Sequence, residues 1–154
     1  MKVVILGILF FASITVSAQQ RAATFQAAAK SGLTVYLLNK QYSNALDNDS
    51  NKSVFKGNAQ KKFYNAYVAL LADMGTYLHA NGFTWGKPIR VVHRIYFEGD
   101  GTIDHYLLNL DAAGMDAAKQ ARFLKLLNQF AANYKLRITA DKKFAQCGPA
   151  IYQD

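Results

Sequence analysis

The chain has 154 residues, 51% of them hydrophobic, and 18 Lys and Arg against 10 Asp and Glu give it a formal net charge of +8. That length suits one domain with a full core, and its single cysteine, Cys147, excludes an internal disulfide. The basic balance favours anionic neighbours: phospholipid head groups, acidic polysaccharide or an acidic protein face.

The amino terminus reads as an export signal. Lys2 provides a positive start, Val3 to Val16 is an uncharged apolar run, and Val16-Ser17-Ala18 offers a small-residue cleavage site. The run is shorter than the ~20 residues needed to span a bilayer. Residues 1–18 are therefore expected to be a cleaved signal peptide and residues 19–154 a single domain, secreted or periplasmic, with no integral membrane span left. Export argues against nucleic acid as the partner of the basic surface.

Gln19 to Lys30 is rich in alanine and predicts a helix, stopped by Ser31-Gly32. Thr34 to Leu38, TVYLL, is β-branched and aromatic and predicts a short strand. The following QYSNALDNDSNKSVFKG, Gln41 to Gly57, is dense in Asn, Asp and Ser and predicts a long mobile surface loop. Within it Asp47-x-Asp49-x-Asn51 imitates the start of a calcium loop, but Lys52 stands where glycine is needed and Asn58 where a glutamate is needed.

Asn58 to Asn81 predicts an amphipathic helix, with Phe63, Tyr67, Leu70, Leu71, Met74, Tyr77 and Leu78 on one stripe. Asn58 is a candidate cap, and Asn81-Gly82 a left-handed stop. The stripe reads as core, so no cofactor is assigned to it. Arg90 to Glu98 and Thr102 to Asn109 predict a hairpin through Gly99-Asp100-Gly101. Its acidic residues Glu98, Asp100 and Asp104 read as exposed turn positions, since a hairpin tip offers no cleft to desolvate a catalytic carboxylate.

Asp116 to Tyr134 predicts a second helix, with Phe123, Leu126, Leu127, Phe130, Ala131 and Tyr134 buried and Lys119, Arg122 and Lys125 on another face. Lys135 to Thr139 is a connector or short strand. Phe144 to Tyr152 closes the chain as a strand whose Pro149 suits a sheet edge. Apolar neighbours place Cys147 in the core. The order predicts an α+β fold: a mostly antiparallel sheet in β-α-β-β-α-β order, ferredoxin-like, with two amphipathic helices on one face.

The span Asn58 to Tyr152, with VVHRIYFEGDGTID and the closing CGPAIY, resembles the C-terminal domain of TonB-type energy transducers. The chain departs from that family in having only two prolines, Pro88 and Pro149, and thus no Pro-rich spacer. The resemblance implies at most a stand-alone periplasmic adaptor. TVYLLN together with RIYFEGDGTIDHYLLN also looks like small exported proteins of Bacteroidetes-type bacteria, which implies no activity.

No Gly-x-Ser-x-Gly, His-Glu-x-x-His or phosphate-binding glycine loop is present. No cofactor is expected, and with no third His or Cys ligand beyond His93 and His105 no metal is expected either. The first expectation is a non-enzymatic binding or adaptor module for a protein or anionic cell-envelope component. Its candidate residues are Arg94, Tyr96 and His105 on the sheet face away from the helices, and Lys119, Arg122 and Lys125. One alternative is a small hydrolase using His93, His105 and Asp104, provided the histidines share a face. Another is a binder of acidic polysaccharide or lipid through a basic face.

Overall fold

The computed structural model describes residues 20–154, so the expected signal peptide lies outside the described residues. The fold is α+β. Five strands and four helices follow in the order β1 (Ala22–Thr24), α1 (Phe25–Lys30), α2 (Val35–Leu38), β2 (Ser43–Asn44), α3 (Asn58–Ala80), β3 (Ile89–Phe97), β4 (Ile103–Asn109), α4 (Ala117–Asn133) and β5 (Phe144–Tyr152). No helix among the described residues is long and apolar enough to cross a membrane.

The sheet runs β1-β4-β3-β5-β2. Its three central strands are antiparallel, while β1 on β4 and β2 on β5 are parallel. The sheet is therefore mixed, which corrects the expectation of a mostly antiparallel one. The parallel edges come from segments expected to be otherwise. Ala22–Thr24 was expected within a helix, but it leaves helical geometry because other groups claim its backbone. Arg21 O accepts from Tyr106 N at 2.7 Å. From α4, Asn128 Oδ1 accepts from Arg21 N and Ala22 N, each at 2.8 Å. Only then does Thr24, accepting from Ala27 N, cap α1.

Thr34–Leu38 is a helical turn, not a strand. Thr34 accepts from Leu37 N at 3.3 Å and so caps α2, and among the described residues no neighbouring strand supplies a ladder. Among the described residues only Leu38 of this turn is covered, while Tyr36 stays 69% exposed. The segment Gln41–Gly57 is not a free loop either, because Tyr42, Ala45, Ser53 and Phe55 are buried. Phe55 stacks on Phe63 at 4.8 Å between ring centroids. The carboxylates of Asp47 and Asp49 accept from the backbone of Asp49 and Asn51, closing local turns.

α3 and α4 form as their periodicity predicts. Phe63, Tyr67, Leu70, Met74 and Leu78 of α3 and Phe123, Leu126, Leu127, Phe130 and Ala131 of α4 are buried. They pack over Ile95, Phe97, Ile103, Tyr106 and Leu108 in one cluster, the inner face of the sheet. Asp116 caps α4 through Lys119 N. α3 instead starts after Gly57 at φ 54°, with no side-chain cap from Asn58. The β3–β4 turn is gripped from outside: Ala140 N donates to Gly99 O at 2.8 Å and Leu136 N to Gly101 O at 2.9 Å. A side chain at Gly101, where φ is 90°, would meet Leu136 O at 2.5 Å, so glycine is required.

Candidate functional site

The outer face of the sheet is divided. Residues alternate faces along β3, and His105 stands directly across from Tyr96. Arg94, Tyr96 and His105 therefore share the outer face. That face is not bare at Tyr96, which is completely buried. Ala28 of α1, Leu38 of α2 and Tyr42 cover it together with Leu107 and Ala145. Tyr96 is thus a core residue and cannot meet a ligand. The β-branched and aromatic content of residues 34–38 favours a strand and so carries no local sign of this cover.

A β-bulge shapes the covered end. Tyr96 pairs with His105 and Phe97 with Ile103, which leaves Asp104 as an extra residue. The bulge turns Asp104 toward the same side as His105. Tyr42 Oη donates to Asp104 Oδ2, and His105 Nε2 lies 3.8 Å from the same oxygen. Lys143 Nζ donates to Glu98 Oε1 at 2.7 Å and stands 4.0 Å from Asp104. Burial pushes the Asp104 carboxyl up, but the Tyr42 hydrogen bond and the charges of His105 and Lys143 outweigh it and hold Asp104 below its ordinary range. Burial and then Asp104 push the Tyr42 hydroxyl well above its ordinary range, so it is a donor, not a nucleophile.

Of the three acidic residues at the hairpin, only Asp100 is a plain exposed turn residue. It accepts from Thr102 N and pairs with Lys135 at 2.8 Å. Glu98 and Asp104 belong to the clasp that holds Tyr42 and Lys143 onto the sheet. Tyr42 and Lys143 carry no local signal that would pair them with Asp104, being far from it in sequence.

His93 lies on the inner face, so the hydrolase constellation of His93, His105 and Asp104 does not assemble. His93 Nδ1 is 2.9 Å from Tyr106 Oη, and the rings of Tyr67 and Tyr152 stand edge-on to the imidazole. Burial holds its pKa down to about 4. Among the described residues no group of three or more His, Cys, Asp or Glu is placed to hold a metal ion.

The basic residues of α4 do not form one free row. Lys119 Nζ donates to Trp85 O at 2.8 Å, and Arg122 Nη2 donates to Asn81 O and Gly82 O at 3.0 Å each. Both are engaged by carbonyls at and beyond the end of α3, as cations at a helix C-terminus are expected to be. Lys125 is exposed.

What remains open is the far half of β5. Ser43 N donates to Lys143 O and Ala45 N to Ala145 O. Odd-numbered residues of this strand therefore aim their backbone groups away from β3. β2 matches β5 only at Phe144 and Ala145. Cys147 N–H, Pro149 C=O and Ile151 N–H and C=O are left along an edge with no strand beside them among the described residues, while Cys147 C=O accepts from Gln146 Nε2 at 3.0 Å. Pro149 sits where its missing N–H would have pointed outward, which is why the β3–β5 ladder tolerates it. Beside this edge Val92 is 41% and Ile151 71% exposed. Cys147 is exposed as well, not in the core: strand alternation turns it outward, past the end of the cover provided by α1, α2 and Tyr42.

Next to the edge lies a hollow of about 300 Å³, lined by Asn39, Tyr42, Ser43, Asn44, Asp47, Lys52 and Arg94. Arg94 Nη2 donates to Asn44 Oδ1 at 3.0 Å, while its buried Nε has no partner. Comparison with protein-family models, curated proteins and solved structures gives no match.

Proposed function

We propose that the chain is an exported, non-enzymatic binding module that engages an extended segment of a cell-envelope protein by strand addition to β5. The observation that carries this reading is the outward row of Cys147 N–H, Pro149 C=O and Ile151 N–H and C=O, beside which no strand lies among the described residues, flanked by exposed Val92. Main-chain hydrogen bonds along such a row supply affinity, and side-chain contacts on either face supply selectivity. Pro149 shortens the ladder a partner can build and opposes open-ended self-association, the usual hazard of an exposed edge. The likeness to TonB C-terminal domains, as a stand-alone adaptor, agrees with this role.

The parity of β5 selects the substitution that tests it. Ala150 stands opposite Val91 and directs its N–H into the β3 ladder, so proline there would damage the fold itself. Ile151→Pro removes an outward donor and leaves that ladder whole. Tagged protein is recovered from its native cell envelope with crosslinking and mass spectrometry. The wild type should capture a reproducible envelope protein crosslinked near β5, and Ile151→Pro should lose it while keeping its melting temperature within a few degrees. Capture that survives Ile151→Pro would remove the edge from consideration.

A further inference from the structure

Strand addition leaves Arg94 without a task. Its Cα pairs with Cys147 across the β3–β5 ladder, yet its guanidinium passes over β5 and reaches Asn44 on β2. The charged group therefore lies over the line that β2 begins and an added strand would continue. No carboxylate pairs with it among the described residues, and its buried Nε has no acceptor. Arg94 lines the hollow with no counter-charge, and a charged acceptor placed there would make the strongest hydrogen bonds to a guanidinium. Asp47, the acidic group lining the hollow, is spent locally: Oδ2 accepts from Asn44 Nδ2 at 2.7 Å and Oδ1 from Asp49 N at 2.9 Å.

We infer that the hollow at Arg94 receives the free C-terminal carboxylate of the segment that adds to β5. This deepens the strand-addition reading and rests on it. The row beside Lys143 to Ala145 is already filled by Ser43 to Ala45. A segment laid against Cys147 to Ile151 thus runs into β2 and has no room to continue in the sheet, which favours a chain end there. Charge decides which end. The guanidinium pairs with a carboxylate through parallel hydrogen bonds and repels a terminal ammonium. The added strand therefore runs antiparallel to β5, its last residue beside Cys147, where Asn44 and Lys52 flank the terminal carboxylate. An internal Asp or Glu would bring the same charge but needs the chain to go on past β2.

A display library of short random peptides with free C-termini is selected against the purified protein. Each binder is then synthesised with an acid and with an amide end. Affinities are measured on the wild type, on Arg94→Gln, which removes the charge and the Nη2 donor and keeps a polar amide near the place of Nε, and on Ile151→Pro. Amidation should weaken wild-type binding by about tenfold or more, the size of a hydrogen bond to a charged group. Arg94→Gln should abolish the difference between acid and amide, and Ile151→Pro should weaken both forms. Equal binding of acid and amide, or an acid preference that persists in Arg94→Gln, overturns the carboxylate site. If Ile151→Pro still weakens binding in that case, strand addition stands. Binders indifferent to Ile151→Pro, or a selection that yields none, overturn both.

Discussion

The two faces of one sheet are finished differently. On the inner face Ile89, Val91, His93, Ile95 and Phe97 of β3 are all buried beneath helices of 23 and 17 residues. On the outer face the cover consists of α1 and α2, of 6 and 4 residues, with Tyr42 pinned between them and the sheet. It shields Tyr96, Leu107 and Ala145 and stops, leaving Val92, Cys147 and Ile151 in solvent. The polar groups differ in kind as well. Those of the inner face are uncharged, a histidine among tyrosines, whereas the outer face holds Arg94, Asp104, Glu98 and Lys143. Long amphipathic helices can dry a whole face, and a dry face must be neutral. A face covered in part can keep charge, and can offer it to a partner.

This contrast can be broken most severely from within. Phe63 has no exposed surface and is flanked by Phe55, Tyr67 and Phe144. Phe63→Ala should cost about 3–5 kcal/mol in denaturant unfolding; a loss near 1 kcal/mol would mean that the inner core is far looser than its packing implies.

Acid should act next, and from the inner face. Tyr67 of α3, Tyr106 of β4 and Tyr152 of β5 stand around His93, and none of these groups is a carboxylate. Its folded pKa of about 4 lies below the ordinary 6.5. Between those values the unfolded chain binds the proton and the folded chain does not. The stability from neutral His93 is complete above pH ~6.5, falls as pH drops toward ~4 and levels off below, in all by about 3 kcal/mol. Urea midpoints of the wild type should fall through that window by more than those of His93→Gln. Parallel declines would relocate the acid sensitivity to other groups.

The smallest effect belongs to the bare half of the outer face. Ile151→Ser should change stability by less than about 0.5 kcal/mol, because this side chain already stands in water, 71% exposed. A loss of 1 kcal/mol or more would show that the outer face is covered in solution.

The helices α3 and α4 and the β3–β4 hairpin were legible from spacing alone. Stripes of apolar residues, Asp116 as a cap, Asn81-Gly82 as a stop and an Asp-Gly turn are signals that act within a few residues. The segment from Gln20 to Asn44 was legible only at Phe25–Lys30, the part of the expected helix that forms and ends at Ser31. Ala22–Thr24 became a strand because Asn128 and Tyr106 hold its backbone, and TVYLL became a helical turn because Thr34 caps it and no strand lies beside it. Part of the candidate site was visible: Arg94 and His105 do share the outer face, whereas the last strand is not the edge of the sheet and is open only past Ala145, where β2 stops pairing with it. Tyr96 is buried rather than open because its cover comes from that same segment, and Tyr42, Asn44 and Lys143 leave no trace in local pattern.

By itself, then, the sequence determined the α+β class, its two long helices, its hairpin and the side of each helix that would be buried. These follow from periodicity and capping, interactions whose partners are covalently near. Only the tertiary structure decided that the sheet is mixed, that His93 and His105 face opposite ways, that Asp104 bulges toward Tyr42, and that Arg94 reaches across β5 without a counter-charge. Each of these depends on which strand lies beside which and in what register, and a shift of one residue would exchange the two faces.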